Sequence, residues 1–448
     1  MGEHFLKQAW MLAIEAMSWT ELREVGVSTA LAKATGQLGI RNSRTIAVAN
    51  RLVRETLHRK NFIDKVIESV LAPSSCDDFV LGVQSFLRLF TYKTKFVEGS
   101  EREAIDIANV GRSILGWRTI KPVEEALGKI LALNLDAVLA NMGDDERISL
   151  QTFHPRWFVD YCMRLMGREE TLKLLEKNLE TPPTYIRLNT LKEDERNILN
   201  TLSASGVVLE EVENMRFLYK VVKKGVPLIK LKLYEEGLFF IEDRASCLPV
   251  EVGDPKPGFV VLDVCAAPGA KTTHMAQLMQ NRGEIISIDY SPRRVEVLER
   301  ELQRMGVEVV DVIVCDAHKP LPVNVEVDLV MLDPPCSGTG SFWRMPSLKW
   351  RVDINMIENL ARIQWMMLKT CAEHVKKGGS LIYSTSSITL EENEILIERF
   401  LEARPEFSLA ETEPKIGVPA LRGQGKCQRT YPHIHEANGS YIAKLVRN

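Results

Sequence analysis

The chain has 448 residues, enough for two or three domains, and its 45% hydrophobic and 26% charged composition is that of an ordinary globular protein. No internal repeat and no low-complexity segment is visible, and no apolar run approaches the ~20 residues of a membrane-spanning helix. The net charge of −3 leaves nucleic-acid binding open, because binding depends on local patches.

The first 145 residues read as helices. Leu6, Ala9, Trp10, Ala13, Ala16 and Met17 recur at helical spacing, as do Ile46, Ala49, Val53 and Leu57. A small all-α bundle over 1–145 is expected, ending near the polar Gly143-Asp-Asp-Glu. A helix follows His154-Pro-Arg-Trp-Phe and stops at Thr181-Pro-Pro. Tyr185–Asn189 reads as a strand, and 150–250 as a small α+β subdomain.

From Phe259 the register is α/β, over a third domain spanning 251–448. Continuous apolar runs at 259–264, 285–289, 309–315, 327–332 and 380–385 alternate with helical stretches at 270–280, 292–305, 354–376 and 391–403. Such runs suit parallel strands buried on both faces, so the fold class is α/β with a doubly wound, Rossmann-like sheet. The last short strand follows Gly378-Gly379. Thr389-x-x-Glu392 reads as a capping box for the helix after it.

In such sheets ligands sit outside the carboxyl ends of the strands. The first strand ends in Asp263-Val-Cys-Ala-Ala-Pro-Gly-Ala-Lys-Thr-Thr. A dinucleotide loop would need G-x-G-x-x-G, and only Gly269 is present. A phosphate-binding P-loop would need glycine where Ala270 and Cys265 stand. S-adenosylmethionine, which carries no phosphate, remains. Asp289 would accept from its ribose hydroxyls and Asp316 would hold its adenine amino group. Asp263, Asp289, Asp316 and Asp333 all end strands at one rim. Each could be a plain turn or cap residue, but four at successive strand ends favour a ligand site.

Two further strand-end turns read Asp333-Pro-Pro-Cys-Ser-Gly-Thr-Gly and Tyr383-Ser-Thr-Ser-Ser-Ile. Together with the Asp263 loop they resemble the RNA cytosine-C5 methyltransferases of the Nop/Sun type, and in particular the RsmB (Fmu, Sun) branch. That branch carries a NusB-like helical domain ahead of the catalytic domain. Residues 1–145 resemble it in size and helical character, with Arg44–Lys60 like its basic helix. His154-Pro-Arg-Trp-Phe, Arg187-Leu-Asn-Thr-Leu-Lys and Arg429-Thr-Tyr-Pro-His-Ile-His resemble further family segments. Asn438-Gly-Ser-Tyr stands where the family tends to have Asp-Gly-Phe-Phe.

The resemblance implies a cofactor site built from Cys265, Ala266, Ala267, Pro268, Gly269, Ala270 and Lys271, with Asp289, Arg294, Asp316 and Asp333. It also implies two cysteines. The one in a Thr-Cys-Ser motif attacks C6 of cytosine, and the one in a Pro-Cys-Ser motif, here Cys336, helps release the product. Asp333 would hold the cytosine edge and Lys271 would supply positive charge near the base. Sulfur suits the attack because a free thiol has a pKa near 8.5 that neighbours can lower.

The attacking position is Ser386 here. Three accounts stay open: a deliberate Cys→Ser change, a natural loss of the reaction with RNA binding kept, or attack by Cys336, as in DNA cytosine-C5 methyltransferases. DNA methylation itself would call for a target-recognition region that is not evident. The expected catalytic set is therefore Ser386, Cys336, Asp333 and Lys271. The expected function is methylation of cytosine C5 in RNA, with ribosomal RNA as substrate, and the alternative is a non-catalytic RNA-binding or ribosome-assembly factor.

Two basic stretches could contact RNA phosphates: Arg41, Arg44, Arg51, Arg54, Arg59 and Lys60, with only Glu55 opposing, and Lys220, Lys223, Lys224, Lys230 and Lys232. Each could equally be a solvated face. The eight cysteines show no CxxC pair and suit reduced thiols. His433-x-His435 has no further ligands near it in sequence, so no metal is expected. With no signal-peptide or myristoylation pattern at the start, a cytoplasmic monomer is expected, without membrane contact.

Overall fold

The structure is a computed structural model that describes residues 3–23, 25–140 and 142–448. It divides into two compact units: one comprises the chain up to Leu179 together with Met345–Arg351, and the other comprises Glu180–Arg344 and Val352–Asn448.

The first unit is helical. Its principal helices run Glu3–Leu22, Val27–Leu38, Ser43–His58, Lys60–Leu71, Leu81–Lys95, Glu101–Leu115 and Arg156–Lys177. The apolar stripes at helical spacing meet in one core, where Trp10 and Phe86 pack edge to face at 5.9 Å. The helix at Ser43 starts where Asn42 accepts from the Thr45 N–H at 3.0 Å, a side-chain N-cap. Arg88 lies in this core at 4% exposure, neutralised by Asp64 at 2.6 Å and Glu21 at 2.8 Å. Lys349, from the short segment that joins this unit, is also buried and donates to the Phe153 carbonyl at 2.7 Å.

The second unit opens with an antiparallel sheet of β1 (Thr184–Leu188), β2 (Val208–Glu211), β3 (Leu218–Lys223) and β4 (Phe239–Glu242), in the order β2-β3-β1-β4. The helix Glu195–Ala204 covers it, burying Ile198 and Leu202 against Ile186, Leu188 and Phe239. The larger sheet contains β5 (Val260–Val264), β6 (Glu284–Asp289), β7 (Val310–Val314), β8 (Val327–Leu332), β9 (Val375–Thr385), β10 (Phe407–Ala410), β11 (Val418–Pro419), β12 (Gln428–Thr430) and β13 (Ser440–Arg447). Its order is β11-β12-β13-β9-β8-β5-β6-β7, with β10 also on β13. The strands β9-β8-β5-β6-β7 are parallel, and the β13, β12, β11 and β10 pairings are antiparallel.

Both faces of the inner parallel strands β5, β6, β8 and β9 are covered, as their apolar runs require, whereas β7, expected to be equally buried, lies at the sheet edge with Val314 exposed. Leu262 and Val264 face a core with Leu368 and Cys371, while Val261 faces one with Cys247 and Met275. From β5 the chain steps outward to β6 and β7, then crosses back to β8 and β9 on the other side. This reversal opens a crevice at the carboxyl ends of β5 and β8, the ligand position of doubly wound sheets.

Three local expectations are corrected. β9 begins at Val375, so Gly378-Gly379 lies inside the strand, where the ladder to β8 shifts register. The preceding helix accordingly ends at Ala372. The helix expected from residue 391 begins at Glu394, and Thr389-x-x-Glu392 is not its capping box. Thr389 donates its hydroxyl to Glu392 at 2.9 Å, and that carboxylate serves a different purpose, described below.

Candidate active site

The loop after β5 is shaped by its own hydrogen bonds. Cys265 takes the left-handed conformation at φ 68°, and the N–H groups of Cys265 and Ala266 both donate to the Ile288 carbonyl, at 2.9 and 3.0 Å. Ala267 N–H donates to Asp289 Oδ2 at 3.3 Å, and Gly269 N–H to the Ala266 carbonyl at 2.9 Å. Gly269, at φ 109°, turns the chain into the helix Ala270–Leu278. The first-turn N–H groups of Ala270, Lys271 and Thr272 have no intrahelical acceptor. Pro268 is exposed at the loop tip.

The rim carboxylates differ sharply in state. Asp263 is buried and accepts from the Thr272 hydroxyl at 2.6 Å. Burial pushes its carboxyl up to about 6; the Thr272 bond and the Lys271 ammonium oppose this, and the Asp333 and Asp289 charges add to it. Asp289, at the tip of β6, is held by the Ser291 N–H at 3.2 Å and by Arg294 at 3.2 Å. Arg294 also donates to the Ala267 carbonyl, tying β6 to the loop. Asp316, just past β7, is partly exposed and pairs with His318 at 2.5 Å. Tyr290, beside Asp289, presents an exposed ring at the same rim.

Asp333, just past β8, joins the loop to the serine turn. Lys271 Nζ lies 2.7 Å from its Oδ2, and the Ser384 hydroxyl donates to Oδ1 at 3.1 Å. Burial disfavours the Lys271 ammonium, yet the Asp333 charge and hydrogen bond, with the Asp263 charge, hold its pKa above the usual lysine value. Lys271 is therefore a fixed cation.

The turns carrying Cys336 and Ser386 converge. Gly340 N–H donates to the Ser386 carbonyl at 2.9 Å, and Ile388 N–H to the Thr339 hydroxyl at 3.0 Å. Behind them Gly340 and Gly439 touch, with Gly439 N–H donating to the Gly340 carbonyl at 2.8 Å. A side chain on either glycine would strike the other's backbone, which explains the glycine retained in Asn438-Gly-Ser-Tyr. Arg429 anchors the closing segment, donating to Glu394 at 2.6 Å and to the Ile388 carbonyl at 2.9 Å.

Cys336 is half-buried. Burial, then the Glu392 and Asp333 charges, push its thiol up to about 12, and the Gly338 and Ser386 N–H groups offset this only in part. It is a neutral thiol at physiological pH. Ser386 is likewise half-buried at the mouth of the same turn.

The chain has known relatives. The family described as "16S rRNA methyltransferase RsmB/F" matches residues 250–446, and "Methyltr_RsmF/B-like, ferredoxin-like domain" matches residues 154–217. The probable ribosomal RNA small subunit methyltransferase B of Bacillus subtilis is 28% identical, over 97% of each chain. That of Synechocystis is 31% identical, covering 68% of this chain and 70% of that protein. The chain belongs to the RsmB/F rRNA methyltransferase family. Among solved structures, NSun6 from Pyrococcus horikoshii, crystallised with SFG, an S-adenosylmethionine analogue, aligns with a TM-score of 0.61 at 27% identity. The alignment covers 65% of this chain and 98% of that one.

For this family member, the sequence picked out residues that the fold does bring to one rim: Lys271, Asp289, Arg294, Asp316, Asp333, Cys336 and Ser386. It missed Tyr290, and it missed the polar network of Ser337, Gln364, Ser387 and Glu392 that joins the two turns. Only Glu392 left a sequence signal, and that signal read as a helix cap. The first basic stretch also needs correction. Arg59 is paired with Glu55 at 2.6 Å and Lys60 with Asp64 at 2.9 Å, which leaves Arg41, Arg44, Arg51 and Arg54 exposed. In the second stretch Lys220 pairs with Glu436 at 2.6 Å and Lys232 with Glu236 at 3.0 Å, while Lys223, Lys224 and Lys230 stay exposed. All eight cysteines are free. No described helix is long and apolar enough to cross a membrane.

Proposed function

We propose that this protein is built to methylate C5 of cytosine in ribosomal RNA from S-adenosylmethionine, and that Ser386 limits the reaction in this chain. The observation that carries the reading is the convergence of the Cys336 and Ser386 turns beside the Lys271–Asp333 pair. Ribosomal RNA as the substrate class is supported by the end-to-end match to the Bacillus subtilis protein.

The donor set fits the cofactor. Fixed carboxylates at Asp289 and Asp316 suit ribose hydroxyls and an adenine amino group, and the exposed Tyr290 ring offers a stacking face. The loop has no glycine cradle for a phosphate. When bound, S-adenosylmethionine supplies an electrophilic methyl group on a sulfonium.

The remaining chemistry belongs to the chain. Asp333, oriented by Lys271 and Ser384, holds the cytosine N3 and amino edge. A thiolate at position 386 would add to C6, breaking the C5–C6 double bond and making C5 nucleophilic. After methylation a base removes the C5 proton, the double bond re-forms and the C6–sulfur bond breaks, returning the thiolate. Ser386 offers a hydroxyl, a far weaker acid than a thiol. Cys336, held as a neutral thiol, is poorly suited to attack in its place. The exposed arginines of the helical unit and Lys223, Lys224 and Lys230 would contact phosphates without reading sequence, and the target base must leave its stack to reach the pocket. Free thiols fit a cytoplasmic setting. The hydroxyl at 386 favours a second reading, an RNA-binding assembly factor that keeps the fold.

Transfer of labelled methyl to unmodified ribosomal RNA tests this with the parent, Ser386→Cys and Cys336→Ala. Ser386→Cys is expected to be active and the parent weak or silent. Equal turnover by both removes the nucleophile from position 386. Parent activity lost in Cys336→Ala assigns attack to Cys336. RNA binding without transfer by any version leaves the assembly-factor reading.

A further inference from the structure

Glu392 is fully buried, yet it precedes the helix that starts at Glu394 and, among the described residues, forms no ion pair. Its carboxylate instead accepts five hydrogen bonds. Oε1 takes the Ser337 N–H at 2.8 Å and the Gln364 amide at 2.9 Å; Oε2 takes the hydroxyls of Ser337 and Ser387, each at 2.6 Å, and of Thr389 at 2.9 Å. Ser337 belongs to the Cys336 turn, Ser387 and Thr389 to the Ser386 turn, and Gln364 to the helix Ile354–Ala372. Gln364 also donates to the Pro335 carbonyl at 2.9 Å, bracing the residue before Cys336. One carboxylate thus links the residue after Cys336 to the residue after Ser386.

We propose that Glu392 is a positioning residue: through its hydrogen bonds to Ser337, Ser387, Thr389 and Gln364 it locks the Cys336 turn to the Ser386 turn and fixes both side chains at one pocket. The inference deepens the reading of this pocket as a cytosine methylation site and rests on it. Four neutral or backbone donors and one amide stabilise a carboxylate here without cancelling its charge, unlike a salt bridge. A consequence of the lock is that this charge adds to burial, the larger cause, in keeping the proton on the Cys336 sulfur. An arginine or lysine partner would have held the turns equally well and left the thiol more acidic.

The test is iodoacetamide alkylation of Cys336 against pH, followed by peptide mass spectrometry, on the full chain. Glu392→Gln keeps size and an acceptor oxygen but removes the charge, so the alkylation midpoint should fall by about one pH unit or more. Glu392→Asp should keep the parent's high midpoint, which a purely structural role does not predict. In the Ser386→Cys background, Glu392→Gln should lower kcat by about 10²-fold through misplacement of the turns, with KM for RNA little changed. A folded Glu392→Gln with an unmoved midpoint overturns the proposal. If Glu392→Gln does not fold, Ser387→Ala carries the test: it loosens the link while keeping the charge, and faster alkylation of Cys336 at fixed pH is expected. An unchanged rate there overturns the proposal as well. The alkylation readout needs no methyl transfer, so a shifted midpoint with no transfer by Ser386→Cys sustains the positioning role and defeats the methylation reading alone.

Discussion

Gly340→Ala is expected to be among the most damaging single-methyl additions in the molecule. A Cβ at this position would lie 2.7 Å from Gly439 Cα and closer still to the Gly439 carbonyl. These are backbone atoms, so no side chain can swing aside. Relief requires the two turns to separate, which puts at risk the Gly340 N–H bond to the Ser386 carbonyl at 2.9 Å and the Gly439 N–H bond to the Gly340 carbonyl at 2.8 Å. Overpacking of this kind costs about 1–3 kcal/mol, and each lost backbone bond about 1 kcal/mol, so a loss of about 3–5 kcal/mol is expected. Gly425→Ala is the control, because a Cβ there meets nothing within 4 Å, and its effect should stay within about 1 kcal/mol. Urea-dependent hydrogen exchange, read on peptides of the second unit, separates its unfolding from that of the helical unit. A loss below about 1 kcal/mol for Gly340→Ala would refute the argument that the turns are pinned by this backbone contact.

Arg429→Met should destabilise the second unit by about 3–5 kcal/mol, because it strands Glu394, whose side chain is fully buried in the pair; a thermal-shift loss no larger than that of an exposed-arginine control would contradict this. Asp263 predicts a pH effect. Its folded pKa, about 6, lies above the ordinary 3.8, so its contribution is most favourable at low pH and is lost as pH rises through 6. Asp263→Asn should therefore stabilise the protein by up to about 3 kcal/mol at pH 7.5, falling to roughly half of that at pH 5. Chemical denaturation at the two pH values measures the gap, and a gap that widens toward pH 5 would reverse the assignment.

The ordering of strands and helices from Phe259 onward was legible because a parallel strand buried on both faces must be apolar throughout, and that signal is local. The rim residues Asp289, Asp316 and Asp333 were legible for a related reason: once the strands are located, their carboxyl ends follow. Boundaries were less legible where a local rule met a distant demand. Glu392 sits three residues after Thr389, the spacing of a cap, but Ser337 and Gln364 compete for the same carboxylate, and the helix starts two residues later, at Glu394.

Local chemistry along the chain thus determined which residues could serve: a sulfur at 336, a hydroxyl at 386, carboxylates at the strand ends and a lysine in the first loop. Tertiary structure decided what state each is in. Cys336 is a neutral thiol because burial and the charge of Glu392, 56 residues away in sequence (392 − 336), act on it, and Lys220 leaves the second basic stretch because it pairs with Glu436, 216 residues away in sequence. Electrostatic states depend on distances through space and on burial, and neither is written in the order of residues until the chain has folded.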